Sequence, residues 1–564
     1  MNPPGTLGDR VALLARTRPD DPAFTALRYR GAACSPHTLS YARLHGAASA
    51  LARRLCAESQ VGDRVAILCE QGLDYVIAFL ACLYSGRVAV PLPQVTGARS
   101  TERIDSALAD AGPRLLLVSA ADSVTADALA GHASAILSPD PDAHAERPDI
   151  ETTDLAYLQY TSGSTKSPAG VRITHGNLIA GLTQLHAAVP VGDRPIVTWL
   201  PFFHDMGLVL GLSLPLFRGV HGVTLSPQDF VKRPIRWPRA CSDYRAGITA
   251  SPNFGLSLVV SGTSEQERAG LDLSGLDAIL NGAEHVRADA LNDFTHTFTP
   301  HGFRHRAHTP GYGLAEATLA VTIADLEADP VTRRFDRTAL NAGEAVPADT
   351  GITLVACGFP VGQRVAVVDP ERRVELPEGA VGEIWVSGPN VGAGYHGNPS
   401  ASADTFGAVL TGDDGHWLRT GDLGFRHETG LYVTGRRKDL IVVDGRNHYP
   451  ADIEATAVAA GAHLRAGYLT AFGHDDGVRE SLVIVAELHN ADEAADAAAI
   501  AVCVRSAVAD VHAVMPESVV MVAPGAIPRT SSGKVRRADC RALFDAGRLP
   551  ALATAGKRPL AAPD

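Results

Sequence analysis

Chemistry that depends on cysteine is missing from this chain of 564 residues: its 8 cysteines are scattered, with no Cys-x-x-Cys pair and no Cys/His set at ligand spacing. That fits free thiols in a reducing cytoplasm better than a disulfide frame or a zinc site. Excess positive charge is missing as well. A formal charge of -12 argues against nucleic acid or an anionic membrane surface as the main partner, so any phosphate ligand has to be held by local donors. No apolar run is long enough to cross a bilayer, the longest lying around Leu208 to Phe217, and Asp9, Arg10, Arg16, Arg18, Asp20 and Asp21 interrupt any signal-peptide core. There is no internal repeat. What remains is a soluble, cytoplasmic globular protein without stable membrane insertion, 46% hydrophobic and 20% charged, and too long for one core.

The stretch Tyr160 to Val171, YTSGSTKSPAGV, carries the strongest local signal. Apolar Leu155 to Tyr160 predicts a buried strand and Thr174-His175-Gly176-Asn177 predicts the start of a helix, so the expected order is strand, loop, helix. Gly163 and its small neighbours let backbone N–H groups surround an anion. The hydroxyls of Thr161, Ser162, Ser164 and Thr165 add donors, and Lys166 adds charge. A polyphosphate would suit such a loop. It is not a Walker A loop, because Lys166 follows Thr165 rather than Gly, and the later SSGK at Ser531 to Lys534 fails because Pro528 stands where the first Gly belongs. Taken alone, the stretch reads equally well as a Ser/Thr-rich surface turn.

From Val65 onward strand-like and helical signals alternate: VAILC, an amphipathic stretch around Tyr75 to Tyr84, VAVPLP, a helix to Gly112, then RLLLVSA. This β-α-β-α-β pattern predicts a parallel sheet covered by helices. Leu44, Ala47, Ala48, Leu51 and Leu55 form one face of an earlier helix. Pro195 to Pro201 predicts a short strand. After Thr350, RVAVVD, EIWVSG and LYVTGR between Gly and Pro turns predict a small antiparallel sheet or barrel. From about Arg437, LIVVD, a helix from Pro450, LVIVAEL, the Ala-rich stretch Ala491 to Ala509 and SVVMV predict a compact α+β unit, with Gly435 to Asp439 as its hinge. Beyond Phe544 the lack of periodicity predicts a frayed end.

Five further segments follow the loop in a fixed order: NGAEHV (Asn281 to Val286), GYGLAEAT (Gly311 to Thr318), RTGDLG (Arg419 to Gly424), GRRKDLIVVDGRNHYPADIE (Gly435 to Glu454) and PRTSSGKVRR (Pro528 to Arg537). Together they resemble the adenylate-forming superfamily of acyl-CoA synthetases, luciferases and peptide-synthetase adenylation domains, from about Leu39 to Leu543. Within it QYTSGST, WLPFFHDMGL, SPNF, YGLAEATLAV, WVSGPNVGAGY and GRNHYPADIE look like the fatty acyl-AMP ligases. The segment Thr322 to Ala356, containing RRFDRTAL, resembles the insertion that sets these ligases apart from CoA synthetases.

The resemblance implies an α/β fold: a large N-terminal adenylation domain, residues 1–436, with stacked mixed and parallel sheets and a small barrel, and a small mobile α+β C-terminal domain, residues 437–564. It implies ATP and Mg²⁺ as cofactors and attack of a fatty acid carboxylate on the α-phosphorus. The acyl group then passes to the phosphopantetheine thiol of an acyl carrier protein, or of a carrier domain of a polyketide or nonribosomal peptide synthase. No carrier unit follows the Lys534 loop, so the expected acceptor is another protein. Two anions must meet, which demands fixed positive charge and donors.

By motif match Glu316, with Thr161, holds Mg²⁺, and Lys534 bridges the substrate carboxylate and the α-phosphate. Asp422 accepts the ribose hydroxyls and Arg436 donates to ribose or phosphate. Gly282, Ala283 and Glu284 flank the adenine, with Tyr312 stacked on it beside Gly313, and Lys438 is the hinge position. His204 and Asp205 shape the acyl channel or guard its meeting point with the thiol; adenylation itself needs no base, since a carboxylate is already ionised. Trp199, Phe202, Phe203, Met206 and Phe254 are candidates for the acyl pocket, although core packing explains each equally well. His285 stands where these ligases often have Pro. Pro168-Ala169-Gly170 lacks the lysine common at that point in the superfamily, a gap Lys166 can fill. The rivals are a CoA ligase of the same fold and an inert adenylate-binding scaffold.

Overall fold

The computed structural model describes residues 5–94, 98–119, 134–136, 148–160, 169–461, 464–475, 480–490, 495–529 and 534–557. The alternating runs after Val65 fold as their pattern predicts. Arg64–Ile67, Val88–Pro91 and Leu115–Leu117 pair in parallel, joined by the helices Leu73–Ser85 and Ala98–Ala111. Parallel neighbours need such crossovers, because the chain must return over the sheet before adding the next strand. The helix Leu73–Ser85 is not amphipathic as expected. Tyr75, Phe79, Leu83 and Tyr84 are all buried, because the helix is packed against Leu7–Thr17, Tyr41–Glu58 and strands of both large sheets.

The phosphate-loop region also departs from expectation. Leu155–Tyr160 is a strand, but the chain returns as an antiparallel strand, Gly170–Thr174, before the helix His175–Ala188 begins. That helix start is closed internally: the Thr174 hydroxyl accepts from Asn177 N, and the Asn177 side chain accepts from Thr174 N. Residues 161–168 lie outside the described residues, and with them Thr161, Ser162, Gly163, Ser164, Thr165 and Lys166.

Among the described residues a nine-stranded sheet positions the site. Ile196–Thr198, Ile248–Ala250, Ala278–Asn281 and His308–Gly313 run parallel at its centre, so their carboxyl ends open along one edge. In open α/β sheets that edge is the ligand-binding one. Arg364–Asp369, Gly382–Ser387, His416–His427 and Gly430–Arg436 form the expected antiparallel sheet.

Beyond Arg437 the chain has its own core. Leu464–Asp475, Glu480–Leu488 and Ser518–Val522 are adjacent strands covered by Pro450–Ala460 and Ala497–His512, and Ile453, Ile484, Val504 and Met521 pack together without joining the large core. The frayed end expected after Phe544 is corrected over Ala551–Gly556, which forms a strand beside Ser518–Val522. Its Ala and Thr side chains carry no period-two apolar signal, yet they pack beneath the helix Ala497–His512. No helix among the described residues is long and apolar enough to cross a membrane.

Within the segment Thr322 to Ala356, Thr322 and Ile323 belong to the nine-stranded sheet. The rest is a two-stranded unit, Thr332–Phe335 with Ile352–Val355, and the short helix Arg337–Asn341 between them. Phe335 is fully buried against Phe425 and Tyr432, with ring centroids 4.9 and 5.2 Å away. Tyr449 donates its hydroxyl to Leu340 O at 3.3 Å, and Arg337 donates to both carboxylate oxygens of Asp452 at 2.7 and 3.0 Å. The segment therefore touches both the antiparallel sheet and the first turn of the helix Pro450–Ala460.

Replacing Phe335 by Ala should cost about 3–5 kcal/mol, the loss for a fully buried ring. Phe359→Ala, at 51% exposure, should stay within about 0.5 kcal/mol. Urea denaturation followed by tryptophan fluorescence reads this directly, since Trp199, Trp237, Trp385 and Trp417 all precede the C-terminal unit. Equal small losses would mean that the segment is not docked.

Candidate active site

Each wall of the site starts at a strand end. After Ile196–Thr198 the chain turns through WLPFFHD, and Gln71 fixes that turn: its amide donates to Leu200 O at 3.1 Å and its carbonyl accepts from Phe202 N at 3.3 Å. Gln159 donates to Phe203 O at 2.9 Å. Gly207 has to lack a side chain, because a Cβ there would collide with the carbonyl of Pro201. A buried π-helix, Met206–Ser213, follows directly, a geometry often found at functional sites. At its head His204 Nδ1 lies 2.6 Å from Asp205 Oδ1, and Asp205 also accepts from Met206 N at 2.7 Å. Burial pushes the Asp205 carboxyl up. The neighbouring His204, the charge of Lys534 and the Met206 N–H outweigh this and hold it below the usual range.

The end of Ala278–Asn281 delivers Gly282 and Ala283, the latter at a left-handed φ of 67°, and a Cβ on Gly282 would crowd Gly311 O. The end of His308–Gly313 delivers Tyr312 and Glu316. Tyr312 donates its hydroxyl to Asp422 Oδ2 at 2.7 Å, and Arg436 Nε lies 3.5 Å from the other Asp422 oxygen. Glu316 accepts from the Tyr395 hydroxyl at 2.9 Å. The turn that carries it is locked by Thr318, at φ 64°, whose hydroxyl donates to Asn390 O at 2.7 Å, while the Asn390 amide donates to Ala317 O at 2.9 Å. Burial pushes the Glu316 carboxyl up, with Asp205 and Asp422 adding to it and Tyr395 opposing. Burial raises Asp422 too, against Arg436 and Tyr312.

These groups line one cavity of about 960 Å³, together with Lys438, Lys534 and the apolar Met206, Leu210, Leu280 and Leu314. Burial pushes the Lys534 ammonium down, while Asp205, Glu284 and Asp422 pull it back up. Its loop is closed at the base by pairing of Arg529 with Val535 and by Arg536 N donating to Pro528 O at 2.9 Å. Lys438 lies in the turn Arg437–Asp439, where burial again lowers the ammonium.

The cavity fits a nucleotide with a hard cation. No cluster of three His, Cys, Asp or Glu side chains among the described residues could hold a metal unaided. Mg²⁺ is usually held by one or two carboxylates plus phosphates, and Glu316 is a half-buried carboxylate that a cation would stabilise.

Several expected site residues stand away from this cavity. Trp199, Phe202, Phe203 and Phe254 do not line this cavity. Trp199 stacks on Phe230 at 4.1 Å and Phe202 packs on Tyr75 at 5.6 Å, so both serve the core. Glu284 is not in the cavity wall either; it accepts from Phe254 N at 3.3 Å at the start of the helix Asn253–Ser261. His285 hydrogen-bonds the Val433 backbone, and its burial holds the imidazole below its ordinary pKa. The sequence reading missed Tyr395 and Arg537, although both end quoted motifs. Arg537 donates to Ala471 O at 2.8 Å and pairs with Asp439 at 3.2 Å and Glu454 at 2.6 Å, fastening the Lys534 loop to the turn Arg437–Asp439 and to the helix Pro450–Ala460.

A family model described as AMP-binding enzyme matches residues 12–396, and one described as Disco-interacting protein 2-like, AMP domain, matches residues 438–554. The 4-hydroxyphenylalkanoate adenylyltransferase of Mycobacterium tuberculosis is 40% identical, covering 94% of this chain and 90% of that protein. The long-chain-fatty-acid--AMP ligase FadD26 of Mycobacterium marinum is 38% identical, covering 93% and 95%. A crystal structure of the fatty acyl-adenylate ligase from L. pneumophila, in complex with acyl adenylate and pyrophosphate, is 34% identical over 98% of both chains, with a TM-score of 0.76. A structure from work on the fatty acyl-adenylate ligases of E. coli and L. pneumophila reaches a TM-score of 0.85 at 31% identity, covering 96% and 97%. Agreement of this extent in both sequence and backbone means that the chain belongs to the AMP-binding, adenylate-forming enzymes and, among them, to the fatty acyl-AMP ligases.

Proposed function

We propose that this protein activates a fatty acid as its acyl adenylate, with release of pyrophosphate, in the cytoplasm. It then passes the acyl group to the phosphopantetheine thiol of an acyl carrier protein, or of a carrier domain, for polyketide, nonribosomal peptide or lipid assembly. The observation that carries this reading is that Lys534, Arg436 and Lys438 line the same cavity as Asp205, Glu316 and Asp422. A carboxylate approaching the α-phosphorus is an anion approaching an anion, so catalysis rests on positioning and on fixed charge in a partly desolvated site. Lys534 bridges the two as they meet and leaves when the C-terminal unit turns about Lys438. Asp422, oriented by Tyr312, accepts the ribose hydroxyls. Mg²⁺ held by Glu316, with Thr161, would neutralise charge on the departing pyrophosphate.

The acid is proposed to be a medium to long unbranched chain. Met206, Leu210, Leu280 and Leu314 supply apolar wall, and each methylene they cover contributes about 0.8 kcal/mol. The two relatives above are named for a long-chain fatty acid and for 4-hydroxyphenylalkanoates, acids that share an extended apolar part behind the carboxylate.

Pyrophosphate release with dodecanoic acid, beside an amino acid, tests the reading. The fatty acid should drive release, and Lys534→Ala should lower turnover on the order of a hundredfold or more while ATP affinity stays nearly intact. Faster release with the amino acid would overturn the substrate class, and normal turnover in Lys534→Ala would remove that lysine from the mechanism.

The segment beyond Ile323 is proposed to restrain the C-terminal unit from the arrangement in which free CoA would attack the adenylate. Deleting all of Thr322 to Ala356 would also remove a strand end from the main sheet and bare Phe425 and Tyr432, so the Arg337–Asp452 link is the better target. In Arg337→Gln with Asp452→Asn, adenylation should persist and acyl-CoA formation should rise on the order of fivefold, as a population shift of about 1 kcal/mol allows. Unchanged acyl-CoA output would place CoA exclusion elsewhere, most simply in a missing CoA-binding surface.

A further inference from the structure

One loop, residues 389–396, joins two walls of the cavity. On one side it runs along the strand Gly170–Thr174: Arg172 N donates to Gly394 O at 2.8 Å, Ala393 N to Arg172 O at 2.8 Å and His396 N to Gly170 O at 2.7 Å. On the other side it carries the Glu316 turn. Gly392 N donates to Glu316 O at 2.8 Å, and the buried Asn390 accepts from the Thr318 hydroxyl and donates to Ala317 O. These contacts fix where the Glu316 side chain starts. The Tyr395 hydroxyl, donating to Glu316 Oε1 at 2.9 Å, fixes where it ends. Tyr395 is itself held in place: it bridges to Val171, its N–H donates to Ser402 Oγ at 2.8 Å, and its ring stands edge-on to Phe406 at 5.1 Å.

A carboxylate can ligate a cation through one oxygen or chelate it with both. Ca²⁺ accepts chelating carboxylates and a flexible, crowded shell, whereas Mg²⁺ demands near-ideal octahedral geometry and keeps several waters. With Oε1 engaged by Tyr395, Glu316 offers the cavity a single oxygen, Oε2, which has no side-chain partner among the described residues. Chelation would require the Tyr395 hydroxyl to surrender its bond, and the packed ring resists that. We propose that Tyr395 is a positioning residue that makes this site select Mg²⁺ over Ca²⁺, by holding Oε1 so that Glu316 meets the cation of the nucleotide through Oε2 alone. The inference rests on the acyl-adenylate reading above, in which Glu316 meets the cation of ATP.

Charge by itself cannot supply this selection. Asp205 and Asp422 face Glu316 across the cavity and Lys438 faces it from the turn Arg437–Asp439, so the field there attracts any divalent cation equally. Mg²⁺ also gives up its water more reluctantly than Ca²⁺, which leaves geometry and rigidity as the means of preferring it. Hydrogen-bond partners of a metal-ligating carboxylate act in this way, by orienting the ligand without touching the metal.

The test is equilibrium binding to the full chain, without fatty acid, of α,β-methylene ATP, which cannot be cleaved between its α and β phosphorus atoms. Calorimetry compares its affinity with Mg²⁺, with Ca²⁺ and with no divalent metal. The native protein should bind the Mg²⁺ form at least about tenfold more tightly than the Ca²⁺ form, and Tyr395→Phe should reduce that ratio at least about fivefold. The metal-free affinity should be the same in both proteins, since only a hydroxyl is lost. Glu316→Gln should abolish the discrimination, and adding Tyr395→Phe to it should change nothing further, because the hydroxyl acts through the carboxylate. An unchanged ratio in Tyr395→Phe, or an equal loss with Mg²⁺, with Ca²⁺ and without metal, would reduce Tyr395 to a structural role. A protein that discriminates as expected but releases no pyrophosphate from ATP with a fatty acid would instead overturn the acyl-adenylate reading.

Discussion

Desolvated negative charge is the constraint on which this site depends. Asp205, Glu316 and Asp422 share one cavity, and burial pushes each of their carboxyl groups toward protonation. Only Asp205 ends below the usual range, because His204 and Lys534 act on it. Glu316 stays above its ordinary range, and so does Asp422, where Arg436 does not offset burial. In the proposed complex a nucleotide with its divalent cation would supply charge to the first and hydroxyl donors to the second, so the pocket would be complementary to its ligand through its own deficit. Lysine is rare in the chain, at five residues in all, yet Lys438 and Lys534 both line this cavity. Arginine provides the fixed partner to Asp422. A compact ammonium on a flexible stem is better suited to a charge that must arrive and depart.

The contacts that bear on the proposed movement of Lys534 meet at one element, the helix Pro450–Ala460. Within the C-terminal unit Arg537 ties the Lys534 loop to Glu454 on this helix and to Asp439 in the hinge turn. From the main body, Arg337 grips Asp452, one helical residue from the start of the same helix's second turn. A movement that frees Lys534 therefore has to carry the Arg537 contacts along and loosen those of Arg337. In the proposed cycle the segment rooted by Phe335 between Phe425 and Tyr432 would act on the second half-reaction through this helix.

Much of this was legible before any coordinates. Strands built of Val, Ile and Leu between Gly and Pro turns, such as Arg364–Asp369 and Ser518–Val522, declare themselves because large side chains carry the periodicity. Ala551–Gly556 does not, since Ala and Thr fit a strand without marking its faces. The strand Gly170–Thr174 was masked by the stronger helix-start signal of Thr174 to Asn177. In the site, ordered motifs suffice to name Glu316, Asp422, Arg436 and Lys534, which converge on one cavity. They cannot say which way an aromatic ring in WLPFF points, because a core and an acyl channel are equally apolar; Trp199 and Phe202 turn inward. Tyr395 and Arg537 act through partners distant in sequence, a relation that motif order does not contain.

The central claim is that a carboxylate oxygen attacks the α-phosphorus and is left on AMP when the acyl group departs to a thiol. Feeding the protein dodecanoic acid labelled with ¹⁸O in both carboxylate oxygens, with ATP and a thiol acceptor, tests that claim most directly. Mass spectrometry should find one ¹⁸O in each AMP and none in pyrophosphate. Label in pyrophosphate, or unlabelled AMP formed in step with acyl transfer, would contradict the account.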